Sequence, residues 1–210
     1  IVDIGLVFEA DTTTEYWQSW FEDWTALTMS ENGRLFPILP VYGNKENSDC
    51  APIHKLFNIT GPGDNTHCYY SRTVGKDLLY MTVLNSKLQS DTELFQKQTL
   101  WLKQDLRRHQ DDAFKIAAWC TPIGPHTESK ARNDHLMKSW GGLFYEYGLS
   151  VGCTDDCHQY AITAPIRPDS TARSFKGFSI DYERGTIYLG GSGCGDPQAK
   201  HEVYNPWLLD

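Results

Sequence analysis

The sequence predicts an α/β fold with mixed β-sheets flanked by helices, and three observations predict it. Strand-like apolar runs alternate with segments of helical period along the 210 residues. The run FPILPVY drives straight into Gly43-Asn44, as a buried strand does when it delivers polar side chains to the rim of an α/β sheet. Residues 2–8 are apolar on both faces, as a buried parallel strand requires.

Taken in order, the strand at residues 2–8 is followed by acidic and Thr residues (EADTTTE) and a helical segment, EYWQSWFEDWTAL. Asp11 or one of the Thr residues caps that helix. Trp17, Trp20, Phe21 and Trp24 recur at helical spacing, which core packing explains more simply than a ligand platform. The strand FPILPVYGN comes next, then a loop over residues 45–66 with Gly61, Pro62, Gly63 and Asp64. Two strands, CYYSRTV and DLLYMTVLNS, are split by Gly75-Lys76. A helix starts near Thr92 and places Phe95, Leu102 and Leu106 on one face, with Lys and Arg on a solvated face. The strand FKIAAWCTP, the loop IGPHTESKARND, the helix HLMKSWGGLFYEYG and the strand LSVGCT follow. The chain closes with strand-like segments near Ala161, Phe178 and Ile187 and a Gly-rich stretch, LGGSGCGDP. That stretch fails as a dinucleotide motif because no helical pattern follows it.

The length suits one domain over residues 1–210. A net charge of −8 argues against nucleic acid or an anionic membrane as partner, and no run is long enough to span a membrane. The first residues lack a signal-peptide pattern and begin at once as a strand, so a removed leader or a place inside a larger chain is expected. Six cysteines form an even set, and Asn58-Ile59-Thr60 is a glycosylation sequon beside a Gly/Pro-rich loop. With the 7 Trp and 11 Tyr, they point to an extracellular or secretory-lumen protein. Cys50 and Cys68 bracket the sequon loop, and a disulfide between them would contribute roughly 3 kcal/mol.

The order PILPVYGN, LLYMTVLNS, QTLWLKQDL, IAAWCTPIG, GGLFYEYGLSV, DDCHQYAITAPI and GTIYLGGSGCGDP resembles the metallophosphoesterase superfamily. It is most similar to the purple-acid-phosphatase branch, and the likeness covers nearly the whole chain. The block of residues 101–106, WLKQDL, is its most specific part. The resemblance implies an α/β sandwich with mixed sheets and a two-metal centre that activates water and clamps phosphate oxygens.

Position by position, the chain departs from what the resemblance implies. The bridging carboxylate corresponds to Leu6, the phosphate-contacting His to Lys45, and a His ligand to Cys120. Gly-His-x-His becomes Asp155-Asp156-Cys157-His158, and an Asp-x-His strand that should precede Ile1 is not in the chain. Leucine in the bridging position leaves two cations without the charge that offsets their repulsion. The expectation is a catalytically silent domain that serves in binding or assembly, with no cofactor. The alternative is an active phosphoesterase with one divalent ion, Zn or Fe, on Asn44, Asp156 and His158. A third reading, an anion- or glycan-binding module, rests on Lys45 and the surface aromatics. Cys120, Cys157 and His158 are also a soft N/S set for zinc, and Cys153-x-x-x-Cys157-His158 is a lengthened haem-attachment pattern. The absent strand lies centrally in the family's sheet. A partner protein, a retained precursor segment, or a second copy supplying or covering that strand is therefore expected, and the alternative is a fold rearranged to close without it.

Overall fold

The computed structural model describes residues 14–43, 51–62, 68–123, 134–154, 161–172, 174, 177–191 and 208–209. The expectations that fall on residues 2–8, Leu6, Asn44, Lys45, Cys50, Asp156, Cys157 and His158 lie outside these.

The strands are β1 (Tyr70–Val74), β2 (Leu79–Val83), β3 (Phe114–Ala118), β4 (Val151–Thr154), β5 (Ala161–Thr163), β6 (Ile166–Pro168), β7 (Phe178–Ile180), β8 (Ile187–Gly190) and β9 (Leu208–Leu209). Seven of them form one sheet in the order β1-β2-β3-β4-β8-β5-β9, while β6 and β7 make a separate hairpin. β2, β3, β4 and β8 run parallel, and β1, β5 and β9 pair antiparallel at the flanks. The helices are α1 (Thr14–Thr28), α2 (Ala51–Phe57), α3 (Thr92–Arg108), α4 (Asp134–Leu136) and α5 (Gly142–Glu146). A 3₁₀ turn (Ser86–Ser90) follows β2, and a π turn (Met137–Gly141) joins α4 to α5.

Local chemistry sets these elements. Asp91 caps α3 by accepting from the N–H groups of Glu93 and Leu94 at 3.0 and 3.1 Å, and Arg107 and Arg108 sit in its last turn. Its buried stripe of Phe95, Gln98, Leu102, Asp105 and Leu106 faces the sheet. Gly75 (φ 72) and Asp77 (φ 54) take the left-handed conformations that the β1–β2 turn needs.

The two faces of the sheet carry separate cores. On one, Tyr80, Ala117, Trp119 and Tyr188 pack against Leu102, Leu106, Trp140 and Phe144. On the other, Val83 and Ala118 pack against Trp17, Val41, Tyr42, Ile53 and Ile59. The aromatic stripe of α1 is mostly a packing element. Trp17 is buried and Trp20, Phe21 and Trp24 are half-buried, with Phe57 of α2 5.6–6.5 Å from the rings of Trp17, Trp20 and Phe21.

Two expectations differ. Residues 36–43, the described part of the segment read as a strand, join no ladder among the described residues. Pro37 and Pro40 lack the N–H groups that a ladder uses, and the Pro40 carbonyl instead accepts from Tyr70 Oη at 2.7 Å. Val41, Tyr42 and Gly43 are nonetheless buried. The loop over residues 45–66 contains α2, closed at Asn58 in the left-handed conformation (φ 48), with Ile59 N–H donating to the His54 carbonyl at 3.0 Å.

Two outcomes follow from this architecture. Gly142 has helical dihedrals (φ −63, ψ −42) and open space where a Cβ would lie. Gly142→Ala is therefore expected to add about 0.5–1 kcal/mol of stability by restricting the unfolded chain, read as a small rise in melting temperature. On the β6–β7 hairpin, Asp169 accepts from Ser179 Oγ at 2.5 Å and Thr171 N–H at 2.8 Å, and these bonds pull its carboxyl from 3.8 down to about 2. The folded pKa is the lower one, so the contribution is complete above pH 3.8 and fades as pH falls towards 2. Melting temperatures of Asp169→Asn should depend less steeply on pH across that window than those of the native chain. Equal slopes would refute the assignment.

Candidate functional site

The parallel strands β2, β3, β4 and β8 all end on one side of the sheet, where α/β folds collect their chemistry. The described rim there holds Asn85 and Ser86 after β2, Cys120 and Thr121 after β3, Thr154 at the end of β4, and Gly190 and Gly191 at the end of β8.

Its polar groups are largely bonded to one another. Asn85 N–H donates to Gln98 Oε1 at 2.7 Å, and Gln98 Nε2 donates back to the Asn85 carbonyl at 3.0 Å, fixing the rim to α3. Asn85 Oδ1 accepts from Lys87 N–H at 3.0 Å and caps the 3₁₀ turn. Ser86 Oγ donates to Thr121 Oγ1 at 3.2 Å and accepts from Thr121 N–H at 3.0 Å, bridging the ends of β2 and β3. Trp119 Nε1 donates to the Thr121 carbonyl at 2.7 Å, so the core side chain below holds the rim from beneath. Lys87 Nζ lies 5.8 Å from the centre of the Tyr42 ring, and Gly191 N–H donates to the Thr154 carbonyl at 2.8 Å.

Of the positions that correspond to the family's metal and phosphate ligands, Cys120 is the one among the described residues, and it is buried after β3. Tyr42 and Thr154, described residues that precede Asn44-Lys45 and Asp156–His158 in sequence, both border the same rim. Cys120 and Cys153 are thiols, and Cys68 is a disulfide-bonded residue whose partner lies outside the described residues.

The described rim offers the hydroxyls of Ser86 and Thr121, bonded to each other, the Thr154 hydroxyl, which donates to the Leu189 carbonyl at 3.4 Å, the Asn85 amide and the buried thiol of Cys120. The carboxylate and imidazole that a hard-metal centre would take from this rim, Asp156 and His158, lie outside the described residues.

Sequence reasoning missed the Ser86–Thr121 and Asn85–Gln98 pairs, because nothing local announces partners 35 and 13 residues apart. It also missed His54 on α2, a buried imidazole whose two ring nitrogens have no hydrogen-bond partner among the described residues. Burial lowers its pKa, so it stays neutral at physiological pH.

No protein-family model matches the chain, and no curated protein matches it in sequence. Among solved structures it is similar to the purple acid phosphatase PPD1 isolated from yellow lupin (Lupinus luteus) seeds. The TM-score is 0.71 and the identity 14%, over 97% of this chain and 38% of that one. It is also similar to GAP50, the anchor in the inner membrane complex of Plasmodium, with a TM-score of 0.62 and 15% identity, over 91% of this chain and 60% of that one. The chain thus spans less than two thirds of the length of either. At these identities the likeness is one of fold, and the mixed sheet flanked by helices is a metallophosphoesterase-like fold.

Proposed function

We propose that this chain is a catalytically silent metallophosphoesterase-like domain that works by binding a protein partner. The observation that carries the reading is the end of β3, where the resemblance calls for a metal-binding imidazole. There the chain has the buried thiol of Cys120, beside hydroxyls of Ser86 and Thr121 that bond to each other. Leu6 and Lys45, at two further ligand or phosphate-contacting positions, support it from the sequence. The similarity to a protein described as an anchor supports a role in assembly.

The similarity to a purple acid phosphatase favours a second reading, a phosphoesterase with an altered or single-metal site on Asn44, Asp156 and His158. Metal analysis of the purified chain with a p-nitrophenyl phosphate assay separates the two. The first reading expects turnover no higher than the His158→Ala variant. Stoichiometric metal with turnover abolished by His158→Ala would establish the second.

An extracellular or secretory-lumen location belongs to the same proposal. Asn58 is exposed at the end of α2, where a glycan is accommodated without loss of packing. The disulfide-bonded state of Cys68 supports the Cys50–Cys68 pairing expected from the sequence. Protein purified from a secretory host should lose mass on enzymatic deglycosylation, and Asn58→Gln should not. A peptide map linking Cys68 to another cysteine would refute the pairing.

A further inference from the structure

We propose that the groove between α3 and the α4–α5 helix binds an acidic amphipathic helix of a partner protein. This surface lies on the helical layer, and no rim residue lines it. The cavity has a volume of about 380 Å³. One wall is built by Gln96, Thr99, Leu100 and Lys103 of α3. The other is built by His135, Ser139 and Leu143, four residues apart in turn, and Phe95 forms part of the floor.

Shape selects a helix. Both walls repeat at helical spacing over about two turns, roughly 10 Å, so a third helix can lay its ridge into the trough. The trough is open along its length, unlike a pocket that encloses most of a small molecule.

Apolar surface and charge then select the kind of helix. Leu100 is 59% exposed and Leu143 half-buried, an apolar pair for a partner's leucines at i and i+4. Lys103 lines the groove and Arg107 stands one turn further on, both exposed and neither in an ion pair among the described residues. Among the described residues no carboxylate lines the groove, and Glu93 at the start of α3 is bonded to Lys97 at 2.7 Å. Acidic residues flanking the partner's apolar stripe complement this arrangement.

The floor is rigid before anything binds. Trp140 Nε1 donates to Thr99 Oγ1 at 3.1 Å and locks the π turn to α3. Phe95 stacks on Trp140 at 5.3 Å and lies 4.5 Å from the His135 ring. The ordering cost of binding therefore falls on the partner, the condition for a preformed groove.

The test titrates the ¹⁵N-labelled whole chain with a designed peptide of about 14 residues, long enough for a helix to form on the surface. It carries leucines at helical spacing flanked by Glu; a second peptide has Lys in place of Glu, and decanoate is the third probe. The acidic peptide should bind saturably, with shifts at residues 96–103 and 135–143, about tenfold tighter than the basic one. Lys103→Glu should reverse that preference, and Leu100→Ser should weaken binding about tenfold with the circular dichroism spectrum unchanged. Both substituted side chains are exposed, so the fold is retained. No saturable binding below about 1 mM, a floor for specific recognition, would overturn the proposal. So would equal binding of both peptides, shifts that map elsewhere, or decanoate occupying the groove without competing with the acidic peptide.

Discussion

Gly185→Ala is expected to lower the melting temperature by about 10 °C, because an added Cβ meets tighter contacts there than at Gly61, Gly75, Gly141 or Gly152. Gly185 closes the turn after β7, its N–H donating to the Asp181 carbonyl at 2.8 Å. A Cβ there would lie 2.5 Å from the Asp181 oxygen, 2.6 Å from the Pro165 carbonyl carbon and 2.7 Å from the Ile166 nitrogen. All three are backbone atoms, so no rotamer change relieves the contact. The neighbouring Thr186–Ile166 bridge, two hydrogen bonds of 2.9 and 3.0 Å, would have to open. Overpacking against fixed atoms together with loss of that bridge should cost about 3–5 kcal/mol. Thermal unfolding followed by circular dichroism measures it directly. A melting temperature within about 2 °C of the native value would show that the turn has room the geometry denies. The opposite sign expected of Gly142→Ala makes the pair a control for helix propensity against space.

Trp119→Ala should cost about 3–5 kcal/mol, since a fully buried indole leaves a cavity that its neighbours fill only in part. Trp119 is 0% exposed, with ring centroids of Trp140, Phe144 and Tyr188 at 6.2, 5.3 and 6.2 Å. Its Nε1 also holds the Thr121 carbonyl, so the rim loosens along with the core. A companion measurement tests the packing itself. A Cβ on Gly152 would meet Trp119 Cη2 at 2.7 Å and Tyr188 Cδ1 at 3.0 Å. Gly152→Ala alone should therefore destabilise, and it should cost about 1 kcal/mol less in a Trp119→Phe background, where the distal ring atoms are gone. Denaturant midpoints for the four proteins of that cycle give the coupling. Strict additivity would mean that Gly152 is not glycine on account of the indole.

Most of the fold was legible where one periodicity ran long enough to be unambiguous. The i, i+7, i+11 recurrence of Phe95, Leu102 and Leu106 marked the buried face of α3 because one helix makes that stripe unaided. The strands β2 and β3 were equally plain, since parallel strands buried on both sides read as unbroken apolar runs. The same rule misled at residues 36–43, of which 40–43 are buried but whose two prolines each remove an N–H that a ladder would use. The helix α2 was hidden by its length, although Pro52 near its start is a residue that helices accept there. Of the candidate site, Cys120 could be placed at a strand end from sequence order alone. The bonds that use up Ser86, Thr121 and Gln98 could not, because each depends on where two distant segments meet.

The π turn at residues 137–141 has a consequence for how this chain can change its length. Leu136 and Phe144 are both fully buried and stand eight residues apart. In an unbroken α-helix that separation would swing the second residue roughly 80° away from the first. A π turn closes its hydrogen-bonded ring one residue later and absorbs most of that excess, so both side chains reach the same core. The segment is therefore a place where one residue can be gained or lost without exchanging inside for outside, whereas a one-residue deletion in the middle of α3 would turn Leu102 and Leu106 towards water. Tolerance to insertion and deletion in this fold is set here by the register of a single turn's hydrogen bonds, inside a helix rather than in a loop.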